Sequence, residues 1–268
     1  MQQKAVVRLL ALFNSSFWQM SLLRYLSVSG ICLLMLAAPD FAKAEPATLR
    51  VAVLDDAPPM SYRDEAGNLT GFSYAIAKAL CNDMKLKCEF QVSKLDFMID
   101  DLAAGHFDIA AIGLLNTPAR RQKILFSQPF YRSISVWFAK SGFQPGSPGV
   151  RVSTFRGSVQ ENYVKAQGWE SISAETDAEM IEQLSAGVAQ AIIAPLMTSF
   201  NLQRNPRFLQ LGLMPFVLKA PELEGDASFG ISPKRAEIKE PLDKALENIR
   251  RNGTFDRINT QFLPFRVH

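Results

Sequence analysis

The chain is poor in histidine: His106 and the C-terminal His268 are its only two among 268 residues. Imidazole-built zinc sites and histidine-dependent nucleophilic triads therefore lack their parts. Cysteine is nearly as scarce, with Cys32, Cys81 and Cys88 alone, and no glycine-rich phosphate loop occurs. One charge sign does not dominate either, since 29 Lys and Arg stand against 26 Asp and Glu. Four of the basic residues (Lys4, Arg8, Arg24, Lys43) and one acidic residue (Asp40) lie in the first 44 positions, so 25 of each remain beyond them. Without a lysine-rich face, nucleic acid and anionic membrane surfaces drop out as partners. What is plentiful is ordinary globular material, 48% hydrophobic and 21% charged, which excludes disordered and fibrous classes.

No apolar run is long enough to span a bilayer. The longest, residues 26–39, has about 14 residues against the roughly 20 required. It follows a short basic segment at residues 20–25 and precedes Ala42-Lys43-Ala44, a small-x-small cleavage pattern. These features predict a signal peptide over residues 1–44, cleaved after Ala44, with translation starting at Met1 or Met20. An uncleaved anchor is the competing reading. Export in turn places the chain in an oxidising compartment. There Cys81 and Cys88, at a helix end and a strand start, are expected to pair across a short loop, the alternative being two unpaired buried thiols.

Past the leader, residues 48–54 (TLRVAVL) alternate and are rich in β-branched side chains, predicting a strand. A loop with a turn or small hairpin around Gly67 follows. Helical spacing then runs over residues 72–80, a strand over 88–92, a helix capped at Asp96 over 95–104, and a buried strand over 107–113. This βαβαβ order argues for a parallel sheet covered by helices. An extended run at 135–140 (SVWFAK) leads to a GFQPGSPG break, and a second unit of the same kind begins at Val150. It has a helix over 159–166, a strand near Ile172, a Thr176/Glu179 capping box, and a buried strand over 189–194. Residues 229–232 are again extended, and a helix over 238–252 precedes a turn at Gly253 and a final helical piece.

Arg120 stands just beyond the strand at 107–113, where an open α/β sheet meets its ligand, and a guanidinium there suits a carboxylate held by two parallel hydrogen bonds. Its plainer alternative is a surface helix arginine beside Arg121. The ordered set APPMSYRDEAGNLTGF, LAAGHFDIAAIGL, NTPARR, FSQPFY, RGSV, LSAGVAQAII and NGTFDRI resembles family 3 of the bacterial extracellular solute-binding proteins over nearly all of the chain past the leader. The Cys81 and Cys88 pair also resembles the disulfide of the basic-amino-acid and histidine receptors. The resemblance implies a periplasmic binding protein type II fold, an α/β protein with two lobes joined by two hinge strands. Lobe 1 takes residues 46–137 and 231–268, and lobe 2 residues 141–228. It further implies a monomeric, cofactor-free and metal-free receptor that delivers a small carboxylate ligand to an ABC permease of the inner membrane.

By the same resemblance, Arg120 holds the ligand's carboxylate with help from the Thr117 backbone N–H, and Gly157, Ser158 and Val159 form an anion-favouring loop at a helix start. Three positions depart from the family pattern. Pro195 stands where an aspartate would pair with an α-ammonium, Leu115 replaces a small polar residue, and Ala57 replaces a stacking aromatic. Gln190 replaces a structural aspartate in a turn facing away from the cleft. The expected ligand is therefore a carboxylate with a more apolar remainder, or one whose cation is met elsewhere by Asp55, Asp56 or Tyr62. The two aspartates also read simply as a solvated turn. An enzymatic alternative, similar to the cyclohexadienyl dehydratases, would need a general acid such as Glu161 or Glu175. A third reading is a sensor or accessory binding subunit of a membrane protein.

Overall fold

The computed structural model describes residues 48–267; the expected leader over residues 1–44 lies outside the described residues. Two sheets organise the chain. The first begins with β1 (Leu49–Val53), after which β2 (Asp56–Ala57), β3 (Ser61–Arg63) and β4 (Leu69–Thr70) form a separate three-stranded ribbon. Helix α1 (Phe72–Asp83), strand β5 (Cys88–Val92), helix α2 (Leu95–Ala104) and strand β6 (Ile109–Leu115) continue the first sheet. A single turn of helix, α3 (Pro118–Arg121), leads to β7 (Leu125–Phe126) and β8 (Tyr131–Ser133).

The second half holds β9 (Ser135–Ala139), β10 (Arg151–Phe155), α4 (Val159–Ala166), β11 (Glu170–Ala174), α5 (Asp177–Ser185), β12 (Ala191–Pro195), α6 (Leu196–Leu202), α7 (Pro206–Gln210) and β13 (Met214–Leu218). The chain then returns through β14 (Gly225–Ile231) to helices α8 (Lys239–Arg251) and α9 (Thr254–Phe262).

Both sheets share one plan. In the first, β1 pairs in parallel with β5 and β6, and β14 closes antiparallel on β6. In the second, β10 pairs in parallel with β11 and β12, and β9 closes antiparallel on β12. Each antiparallel strand is reached only after the chain has crossed from the other half. The change of sheet falls at Ile134, between β8 and β9, and in the segment between β13 and β14. Sequence reasoning sets the lobe borders a few residues later, at 137–141 and 228–231. Because the sheets twist about parallel strands, the loops after β1, β5 and β6 and those after β10, β11 and β12 each gather at one end.

The core follows from the sequence pattern. The strand runs IAAIGLL and AIIAP are almost wholly buried, as strands covered on both faces must be. Helix α8 buries Leu242, Ala245, Leu246 and Ile249, the spacing of one helical face. Phe130 stacks on Phe229 at 4.4 Å between centroids and on Phe72 at 5.9 Å, tying α1 to the sheet. Asp108 of the HFDIAAI stretch is fully buried beneath β1, where Arg50 at 2.9 Å and Arg235 at 3.2 Å neutralise it. Burial alone would raise its carboxyl, but the hydrogen bonds from Arg50 and the two positive charges hold it below the usual carboxylate range.

Several local expectations need correction. Helix α2 is not capped by Asp96: Lys94 is the N-cap, with no side-chain bond, and Asp96 lies in the first turn. The strand expected at 189–194 is shifted to 191–195, with Pro195 at its end opposite Ser135. The Thr176 cap is present, its hydroxyl accepting from Glu179 N–H at 3.1 Å, while Glu179 reaches back to the N–H of Glu175 at 2.7 Å.

Cys81 and Cys88 are joined by a disulfide that closes the turn between α1 and β5. Its short loop removes little unfolded-chain freedom, so replacing both cysteines by serine should cost about 2–3 kcal/mol. Urea denaturation of the double variant, and of the parent with and without a reducing agent, checks this. Equal stability in all three would show that the link adds nothing.

Candidate functional site

A cavity of about 230 Å³ lies where the loops of the two sheets meet. Its walls come from the ends of all six parallel strands: residues 54–57 after β1, 93–96 after β5, and 112–115 at the end of β6. From the other half come Phe155, Arg156 and residues 158–160 at and after the end of β10, residues 174–176 at and after the end of β11, and Pro195, Met197 and Thr198 at and after the end of β12. Met60, Ser61, Arg120, Tyr131 and Ser133 complete it.

Arg120 is positioned by Thr117, whose hydroxyl accepts from the Arg120 N–H at 3.3 Å and starts α3, with Pro118 at the first helical position. The guanidinium turns inward. Its Nη1 donates to Leu115 O at 3.3 Å and its Nη2 to Gly157 O at 3.4 Å, both long and both to neutral carbonyls. No carboxylate lies within ion-pair distance of it among the described residues. Desolvation without an anionic partner lowers its pKa to about 10, so it stays charged at neutral pH. The site thus offers a buried cation with a fork of donors to spare.

Facing Arg120 across the cavity is the start of α4. Ser158 is its N-cap and accepts from Glu161 N–H at 3.0 Å. The N–H groups of Val159 and Gln160 fall at the first two helical positions and have no acceptor within the helix, so they favour an anion. Glu161, considered as a general acid, faces elsewhere. It is absent from the cavity wall and accepts from Gly157 N–H at 2.7 Å, Lys165 Nζ at 2.9 Å and the Ser173 hydroxyl. Burial pushes its carboxyl up, but these three bonds outweigh that and hold it ionised, as a brace for the loop. Glu175 is exposed at the cavity rim and paired with Lys94 at 3.0 Å and Arg156 at 3.5 Å. The Lys94 contact links the two halves.

Leu115, Ala57, Pro195, Ser158, Val159 and Arg120 all reach the cavity wall. Thr117 and Tyr62 do not. The Thr117 N–H is spent on Leu115 O at 3.0 Å. On β3, side chains alternate, so Ser61 faces the cavity and Tyr62 the other side. Gln190 lies in the turn before β12, bonded to Arg151 N–H at 2.9 Å and Gly187 O at 3.3 Å, away from the cavity. Tyr131, which the sequence did not single out, is buried in the wall. Desolvation raises its phenol well beyond the usual range, so it remains a neutral donor, directed at Gly113 O at 3.5 Å. Gly113 has φ +72, and a Cβ there would stand 2.7 Å from the tyrosine oxygen, so the contact requires glycine.

Behind the wall, Asp177 of α5 is buried and accepts from Asn201 Nδ2 at 2.6 Å. Burial pushes it up to about 7; the Asn201 bond opposes this, and the charge of Asp56 from the other half adds to it. An unfolded aspartate titrates near 3.9. Between about pH 4 and pH 7 the folded chain therefore keeps a proton that the unfolded chain has lost, and stability falls as pH rises through that window. Asp177→Asn removes this cost. Relative to the parent it should gain on the order of 1–2 kcal/mol between pH 4 and pH 8 in urea denaturation, whereas a pH-independent difference would rule the titration out.

Two α/β lobes whose sheet ends face each other across a cavity lined by Arg120 define a ligand-binding architecture of the clamshell kind. The chain belongs to the bacterial extracellular solute-binding proteins, family 3, whose profile matches residues 49–265. The lysine/arginine/ornithine-binding periplasmic protein of Escherichia coli (strain K12) is 27% identical over 254 residues, covering 91% of this chain and 97% of its own. The histidine-binding periplasmic protein of Salmonella typhimurium is 26% identical over 254 residues, covering 91% and 97%. Among solved structures, an ancestral arginine-binding protein bound to glutamine superposes with TM-score 0.70 at 26% identity, covering 80% of this chain and 97% of that one. These relatives are binding proteins, and the family is one of solute-binding proteins. No helix among the described residues is long and apolar enough to cross a membrane.

Proposed function

We propose that the protein is a periplasmic receptor that captures a small carboxylate-bearing ligand, an amino acid or related organic acid, between its lobes and delivers it to an ABC permease. The observation that carries this reading is Arg120, a desolvated guanidinium in the inter-lobe cavity without an anion among the described residues. Arg120 would clamp the carboxylate from lobe 1 while the Val159 and Gln160 N–H groups meet it from lobe 2. Ser158 keeps that helix start in place.

In this reading lobe 1 spans residues 46–137 and 231–268, lobe 2 spans 141–228, and the borders shift slightly if the change of sheet at Ile134 is used instead. The two crossings flex, and ligand binding favours the closed form. The chain reaches the periplasm through a signal peptide removed after Ala44 and works as a monomer. A screen of amino acids and organic acids by calorimetry, paired with small-angle scattering, tests the proposal. Binding of a carboxylate with compaction of the particle is expected. Failure of every carboxylate to bind would overturn it.

A further inference from the structure

The charged groups of the cavity wall are unevenly committed. Of its acids, Asp55 is paired with Arg63 at 3.4 Å, and Glu175 is held by Lys94 and Arg156 at the rim. Asp56 is exposed, and its charge adds to the rise that burial already imposes on the Asp177 carboxyl. Asp96 sits in the first turn of α2. There the free N–H groups of the helix start favour its negative charge.

The surfaces bordering the Arg120 end are of a different kind. The end of β6 presents Ile112, Leu114 and Leu115, Pro195 closes β12, and Met197 follows in the first turn of α6. Pro195 has no N–H, and its carbonyl accepts the Ser199 hydroxyl at 3.0 Å. Ala57 and Met60 continue this apolar lining from the loop after β1.

A ligand whose carboxylate lies on Arg120 carries its α-carbon one bond, and its α-substituent two bonds, from the carboxylate carbon. An ammonium there would be buried against leucine, proline and methionine, which leave its charge and its three donors unmet. A carbonyl, hydrogen or hydroxyl at the same carbon loses far less on leaving water. The whole cavity, about 230 Å³, has room for roughly a dozen non-hydrogen atoms, so beside the carboxylate it suits a branched aliphatic or aryl group.

We infer that the ligand is a monocarboxylate with an apolar body and no ammonium on its α-carbon, such as a 2-oxo acid or an aryl or branched alkyl carboxylate, selected by the Leu115–Pro195–Met197 wall beside Arg120. This inference rests on the receptor reading of the cavity. It differs from the related receptors, named for lysine, arginine, ornithine and histidine, in the half of the ligand that is read.

Matched pairs of compounds test it in the full mature chain. Leucine is titrated against 4-methyl-2-oxopentanoate, and phenylalanine against 3-phenylpropionate, by calorimetry, with lysine, arginine and histidine alongside. The deaminated member of each pair should bind at least about tenfold tighter. Pro195→Asp, which supplies an anion at the end of β12, should reverse that preference while its melting curve stays cooperative. Amino acids binding as tightly as their deaminated partners, or Pro195→Asp leaving the preference unchanged, would overturn the inference and leave the receptor reading standing. If no carboxylate binds, the receptor reading falls and takes the inference with it.

Discussion

Arg120→Ala should weaken carboxylate binding at least about thirtyfold, equivalent to about 2 kcal/mol or more, while leaving the unliganded fold intact or slightly more stable. The two signs have one cause. The guanidinium is desolvated in the cavity and, among the described residues, meets only two distant carbonyls, Leu115 O at 3.3 Å and Gly157 O at 3.4 Å. The empty protein bears the cost of that unpaired charge, and a bound carboxylate repays it. A structural arginine would behave oppositely, because removing it would cost stability and spare binding. Arg120→Lys keeps the charge but loses the planar fork, so it should fall between parent and alanine. Calorimetry gives the binding loss and urea denaturation the stability change. Unchanged affinity in Arg120→Ala would remove the anchor from the site.

Most of the frame was legible in the sequence because it rests on local rules. The parallel strands are short apolar runs rich in β-branched residues, the helices carry one apolar face, and the two units repeat the same order. Arg120 could be located for a related reason: it follows a strand end, and strand ends converge. Much of the remaining wall obeys that rule too, since residues 93–96, 174–176 and Pro195, Met197 and Thr198 lie at or just past the ends of parallel strands, whereas Met60, Ser61, Tyr131 and Ser133 do not. What stayed hidden depends on tertiary placement. Strand β13 carries Pro215 and exposes Met214, Phe216 and Val217 at a sheet edge, so it lacks the pattern of a buried strand. Asp177 looks like an ordinary first-turn acid, and only burial beside Asn201 and the approach of Asp56 make it unusual. Tyr62 was separated from the cavity by one step of strand alternation, and Thr117 by the use of its N–H in the turn that builds α3.

Gly157→Ala should reduce ligand affinity by at least about a hundredfold without unfolding either half, because the substitution acts where the halves meet. Gly157 has φ +74, a region unfavourable to a side chain, and a Cβ there would collide with the Asp96 main chain, 2.8 Å from its N and closer still to its Cα. The neighbour is backbone at the start of α2 and cannot swing aside. Changing φ instead would break the 2.7 Å bond from Gly157 N–H to Glu161 and move the carbonyl that Arg120 reaches. The strain is relieved most cheaply by keeping the halves apart, which leaves each core untouched. Ligand would then meet Arg120 or the start of α4, but not both together. Small-angle scattering should show no compaction of the variant at ligand concentrations that saturate the parent, with cooperative melting retained. Parent-like compaction and affinity would mean that the loop does not govern closure.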